Sequence, residues 1–258
     1  MNGFVVRMMW AALAAADLAG CAVPQDQNVP NPDPLIVEPI TGRAYKLYVS
    51  SKYDRNRPAP VLVSLHGTAP WDTADRQMGE WKKIAEDHGA VLVCPTLVSS
   101  DGLFPAGEGS MHNLLLQDER FLLTILGELQ YKFNIDRRNV FLTSWSGGGY
   151  PLWFIGLRHP DVFTAICSRQ STFRRNAVEG WFPDEAKQTP ILIFHGTFDF
   201  VPVTLQSQEA HEFLREKGFR DVRLTTTPGG HTRHPEVAME FFLQHWRHGA
   251  YRADAGAP

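Results

Sequence analysis

Three residues of this chain have the types and the order of a nucleophile, an orienting acid and a base: Ser146, Asp199 and His231. A serine hydroxyl is a weak nucleophile at neutral pH and needs a base beside it to take its proton. A histidine titrates in the right range to accept that proton and return it to a leaving group. A carboxylate fixes the imidazole tautomer and stabilises the imidazolium. Ser146 stands in Ser144-Trp145-Ser146-Gly147-Gly148, between an apolar run, Val140 to Leu142, and a helix-compatible segment ending near Arg158. Strand, sharp turn and helix is the context that exposes a nucleophilic serine, and small residues are needed two before and two after it. Gly148 fills one of these places and Ser144 the other, where glycine is usual. Taken alone, such a turn would equally be a plain Gly-rich connection.

Two later stretches add weight. Asp199 closes His195-Gly-Thr-Phe-Asp199, just after the apolar run Ile191 to Phe194; His231 closes Pro228-Gly229-Gly230-His231, just after Val222 to Thr226. Asp199 has an alternative use as a cap for the helix that begins near Pro202. His231 competes with His234, but Gly229 and Gly230 allow a tight approach, whereas His234 precedes Pro235 at a helix start. His66 and His195 are expected to hydrogen-bond within loops.

These residues must be brought together by the elements around them. Strands are predicted over residues 43–50, 60–65, 90–94, 139–143, 163–167, 190–195 and 222–227, with a short first strand over 35–37. Helices are predicted from Asp72 or Thr73 to about His88, and over 112–133, 203–217 and 235–248, besides the one after Ser146. Residues 96–111 and 169–188 read as loops. Strands and helices alternating at these lengths predict an α/β, doubly wound, mostly parallel sheet, with the site at the carboxyl ends of the strands. The interval 169–189 is too short for a large cap, which predicts a minimal cap and an open cleft. Trp71, Phe104, Trp181, Phe198 and Phe200 are rim candidates, and Trp71, Trp181 and Phe198 are the expected substrate contacts. Arg169 would pair either with a substrate carboxylate or with a structural acid.

Over about residues 41–249 the sequence resembles the α/β-hydrolase superfamily, whose chain order is nucleophile, acid, histidine. Within it, Leu65-His66-Gly67, Tyr131-Lys-Phe-Asn-Ile-Asp136 and His195-Gly-Thr-Phe-Asp199 resemble compact bacterial esterases related to feruloyl esterases and polyhydroxybutyrate depolymerases. That resemblance implies a serine esterase acting on short-chain or aromatic acyl esters, small or polymer-linked. The oxyanion would be held by the backbone N–H of Gly147 and by a second donor after Leu65-His66-Gly67, at Thr68 or, failing that, Ala69. Ser144 and Trp145 leave a prolyl-oligopeptidase-type peptidase as the alternative. A non-catalytic lipoprotein that binds a ligand in a hydrolase-shaped pocket is a third reading, opposed by the complete set of three residues.

The chain has 258 residues and a net charge of −3, enough for one sizeable domain and without the basic runs that nucleic acid binding needs. Its ten histidines have no metal-ligand spacing and no strand is followed by a G-x-G-x-x-G turn, so no metal and no cofactor are expected. Arg7 and the apolar stretch Met8 to Ala16 read as a signal peptide, too short to span a bilayer. The segment ends in Leu18-Ala19-Gly20-Cys21, which resembles a bacterial lipobox. The expected organisation is therefore a signal over residues 1–21 with Cys21 as the lipid attachment point. A Pro-rich tether follows over 22–40, then the hydrolase domain over 41–250 and a flexible tail over 251–258. The implied location is outside the cytoplasm, anchored to a membrane by lipid on its periplasmic or cell-surface side, or otherwise secreted. Cys94 and Cys167 are expected to be free and buried, because two strands would separate them by roughly 14 Å.

Overall fold

The computed structural model describes residues 34–100 and 108–247. The signal segment with Cys21, the tether up to residue 33, Phe104 and the tail from residue 251 lie outside the described residues. The strands are β1 (Leu35–Val37), β2 (Ala44–Val49), β3 (Ala59–Leu65), β4 (Val91–Pro95), β5 (Ile135–Trp145), β6 (Ala165–Arg169), β7 (Ile191–Gly196) and β8 (Val222–Thr227). The helices are α1 (Ala74–Asp87), α2 (Glu108–Lys132), α3 (Gly149–Arg158), α4 (Arg175–Val178), α5 (Val201–Glu216) and α6 (Pro235–Gln244).

All eight strands join one sheet in the order β1-β2-β4-β3-β5-β6-β7-β8. β2 runs antiparallel to both β1 and β4, and every pairing from β4 to β8 is parallel. The inner parallel strands β3, β4, β6 and β7 are buried along their whole length because both of their faces are covered, whereas the edge strand β8 is largely exposed. Alternate residues divide between two cores. Val63, Leu65, Leu142 and Ile193 face Leu122 of α2, Trp153 of α3 and Phe213 of α5. Leu62, Cys94, Phe141 and Phe194 face Trp81 of α1 and Phe242 of α6.

Several boundaries differ from the sequence reading. β1 forms over the predicted residues 35–37 and pairs with β2, so the sheet starts inside the stretch read as tether and ahead of Thr41. α2 begins at Glu108, four residues before His112, and buries Met111 in the same core as Leu115. β5 starts at Ile135, drawn into the sheet by its pairing with Ala59. Arg169 is the last residue of β6, and the stretch that follows holds only α4 and one 3-10 turn, Asp184–Gln188. Cys94 and Cys167 are buried and form no disulfide, on strands separated by β3 and β5. Burial pushes the Cys167 thiol up to about 12.

Candidate active site

The carboxyl ends of four strands supply the residues singled out above. β3 and β5 are neighbours in register, Leu65 opposite Ser144, so the loop after β3 lies against the turn after β5. β7 and β8 are neighbours too, with Gly196 opposite Thr227, so the loops carrying Asp199 and His231 meet.

Ser146 sits between β5 and α3 with φ 53, a left-handed conformation that a side chain rarely adopts. The surroundings hold it there. The Ser146 carbonyl accepts from the Thr172 N–H at 2.9 Å and faces the Thr172 hydroxyl at 3.3 Å. Gly148 has no room for a side chain, since a Cβ would lie 2.5 Å from the His66 carbonyl oxygen. Ser144 is fully buried, and its hydroxyl shares a 2.9 Å hydrogen bond with Ser171, which explains how a polar residue fits the usual glycine place.

The Asp199 side chain is fully buried and lies 2.8 Å from His231 Nδ1 through Oδ1. The Phe200 N–H donates to the same oxygen at 2.7 Å, and the Gly196 N–H to Oδ2 at 3.1 Å. A carboxylate only accepts, so the hydrogen-bond network assigns the proton to Nδ1 and leaves Nε2 as the basic nitrogen. The imidazole is clamped between two rings, Trp145 at 4.6 Å and Phe200 at 5.0 Å between centroids. Trp145 immediately precedes Ser146, so this stacking brings His231 to the turn. His234 is elsewhere, with its Nδ1 2.9 Å from Glu236.

The loop after β3 brings a second amide to the turn. A Cβ on Gly147 would lie 3.1 Å from the Thr68 nitrogen, so the Gly147 and Thr68 amides border one small space. The Ala69 N–H is committed to the Ser100 carbonyl at 3.2 Å, which leaves Thr68 as the available donor of the two. His66 braces this loop: its Nε2 accepts from the Leu97 N–H at 2.9 Å, and its Nδ1 lies 2.7 Å from the Gly67 carbonyl. His195 is likewise buried, its Nδ1 3.0 Å from the Gly196 carbonyl.

Of the rim aromatics, Trp71, Phe198 and Phe200 project from the loops after β3 and β7 and are 53%, 84% and 64% exposed. Trp181 is placed differently. It stacks on His112 at 4.7 Å and lies under Arg158, at the end of α3 remote from Ser146. Arg169 is structural, the second of its two alternatives: it is fully buried, ion-paired with Glu80 and hydrogen-bonded to Thr143, Gln77 and the Arg233 carbonyl.

The sequence reading missed two contributors. Asp72, one of the two predicted starts of the first helix, points inward to the Gly67 N–H at 2.7 Å, while Thr73, the other, caps α1. Gln170 is buried at φ 50 and holds the Gly230 carbonyl at 3.1 Å, next to His231. Neither carries a motif: Asp72 stands at a predicted helix start, and Gln170 is the second residue of the loop read over 169–188.

No family model matches the sequence. A bifunctional acetylxylan esterase/xylanase from Neocallimastix patriciarum is 26% identical over 185 residues, 70% of this chain and 24% of that one. The chain thus spans about a quarter of that relative's length. A solved thermostable esterase superposes with a TM-score of 0.60 at 23% identity, covering 83% of this chain and 62% of its own. A CE1 ferulic acid esterase from Anaeromyces mucronatus, in complex with ferulic acid, superposes with a TM-score of 0.61 at 16% identity over 81% and 87% of the two chains. Together with the sheet order, these likenesses establish the α/β-hydrolase fold.

Proposed function

We propose that the protein is a serine esterase working through an acyl-enzyme. The observation that carries this reading is the left-handed Ser146 at the β5–α3 turn, together with a His231 that stacks on the adjacent Trp145 and whose Nδ1 is held by buried Asp199. His231 Nε2 takes the Ser146 proton as the hydroxyl oxygen attacks the ester carbonyl. The resulting oxyanion sits between the Gly147 and Thr68 N–H groups, each worth about 3 kcal/mol to the transition state. His231 then protonates the leaving alcohol, and water repeats the sequence to release the acid.

Short-chain or aromatic acyl esters, free or attached to a polymer, suit a site with a minimal cap and exposed Trp71 and Phe198. The likenesses to a ferulic acid esterase and an acetylxylan esterase support the same substrate class. The test is hydrolysis of 4-nitrophenyl acetate by residues 22–258, beside Ser146→Ala. Wild-type turnover falling by a factor of about 10⁶ in the variant supports the assignment. Equal turnover in both rejects it, and turnover of aminoacyl amides without ester preference would favour a peptidase.

We infer further that Cys21 carries a lipid that ties the domain to a membrane outside the cytoplasm. The Leu18-Ala19-Gly20-Cys21 segment supports this, and among the described residues no helix is long and apolar enough to cross a membrane. Labelled fatty acid fed to expressing cells should enter the wild type and not Cys21→Ala. Incorporation into both would reject the anchor.

A further inference from the structure

Beneath the site lies a group of buried charges that the reaction as written does not use. Asp72 is fully buried in the loop after β3 and grips that loop twice. Its Oδ2 accepts the Gly67 N–H at 2.7 Å, and its own N–H donates to the Thr68 carbonyl at 3.0 Å. Gln77 of α1 steadies the same oxygen at 2.7 Å. The peptide unit between Gly67 and Thr68 is therefore pinned on both sides, and its nitrogen is the Thr68 amide beside Gly147.

The other oxygen of Asp72 faces a residue of the histidine loop. Arg233 Nη2 lies 2.9 Å from Asp72 Oδ1, an ion pair off the hydrogen-bond axis, and Arg233 Nη1 donates to Glu80 at 3.0 Å. Burial works against the Arg233 charge, but Asp72 and Glu80 override it and hold its pKa above the usual value. The guanidinium lies 4.0 Å from the centre of the Trp145 ring, and that ring stacks on His231. Arg169 fastens the same loop through the Arg233 carbonyl and pairs with Glu80.

We propose that the Asp72–Arg233 pair is a positioning device that sets the oxyanion donor and the catalytic histidine relative to one another. The proposal rests on the esterase reading above. β3 and β8 are separated in the sheet by β5, β6 and β7, about 19 Å at ordinary strand spacing, so strand pairing alone does not align their loops. One carboxylate joins the Gly67 N–H, one residue ahead of the Thr68 amide, to a guanidinium packed on the ring that supports His231. A group acting only through position serves the transition state and leaves ground-state binding alone.

The experiment uses the full chain with Asp72→Asn, which keeps the shape and removes the charge, and Arg233→Gln, whose side chain is partly exposed and tolerates change if the first variant fails to fold. 4-Nitrophenyl acetate turnover is read beside inhibition by a trifluoromethyl ketone, which forms a tetrahedral oxyanion adduct on the serine. For either folded variant, kcat should fall about tenfold and KM change by less than about twofold, less than the loss of a whole oxyanion donor. Affinity for the adduct should weaken by the same factor as kcat. Unchanged kcat and adduct affinity, or a rise confined to KM, overturns the proposal. Ser146→Ala in the same assay separates the failures: if it is inactive while both folded variants behave as wild type, only the positioning role falls. If it remains active, the esterase reading falls and takes this inference with it.

Discussion

Ser146 trades backbone comfort for exposure. An L-residue in the left-handed region costs roughly 1–2 kcal/mol, and here Thr172, Gly148 and the β3 loop offset that cost through contacts that fix the turn. The strain and the reactivity share one atom set, so removing the hydroxyl does not remove the strain. Ser146→Ala keeps the Cβ and should stay strained. Ser146→Gly relieves the conformation and should be about 1 kcal/mol more stable than Ser146→Ala, even after the extra entropy of glycine in the unfolded chain. Urea unfolding of the two variants measures the difference, and neither should hydrolyse ester. Equal midpoints with equal slopes would mean that the turn is not strained by its φ of 53.

At the scale of elements, what was legible depended on whether the signal was local. The inner parallel strands announce themselves as apolar runs because both faces are buried, and Gly89 and Gly218 mark helix ends by adopting φ 67 and 85. Ser146 and Asp199 could be picked out because each follows such a run by a few residues, and His231 because it closes a Gly-Gly turn after the edge strand β8. The start of α2 was not legible: Gly109 has poor helix propensity, and the burial of Met111 against the core is a tertiary contact that no local pattern announces. Asp72 and Arg169 were each left between two readings for the same reason. An acid ahead of a helix reads as a possible helix start, and an arginine after a strand as a partner for either a substrate or a structural acid, until contacts far away in sequence decide both. Arg233 lies 161 positions from Asp72 and 153 from Glu80, and no local pattern joins them. Trp181 illustrates the converse: its type suggested a substrate contact, but α3 carries its partner Arg158 away from the nucleophile turn.

For the whole molecule, the acid limit of stability should be set by carboxylates that the fold holds ionised. Glu86, near the end of α1, is bound to the turn after β2. It accepts from the Tyr48 hydroxyl at 2.6 Å, from the Ser51 N–H at 2.8 Å and from the Ser51 hydroxyl. Burial works to raise its pKa, but these bonds override it and bring it down to about 2. Glu119, braced by His159 and Arg158, and Asp136, braced by Arg138 and Asn139, are shifted in the same direction against the same desolvation. A carboxyl whose folded pKa lies below its unfolded value contributes stability above the unfolded value and loses it as pH falls through the folded one. For Glu86 that window runs from the ordinary 4.5 down to about 2. Glu86→Gln isolates its share, because every other titrating group is common to both proteins. Melting temperatures at about pH 7, 4.5 and 2.5 should show the variant less stable at neutral pH, with the gap closing only between the last two. A gap that stays constant to the lowest pH would mean that the Tyr48 and Ser51 contacts stabilise the protein through shape alone and not through the charge they hold.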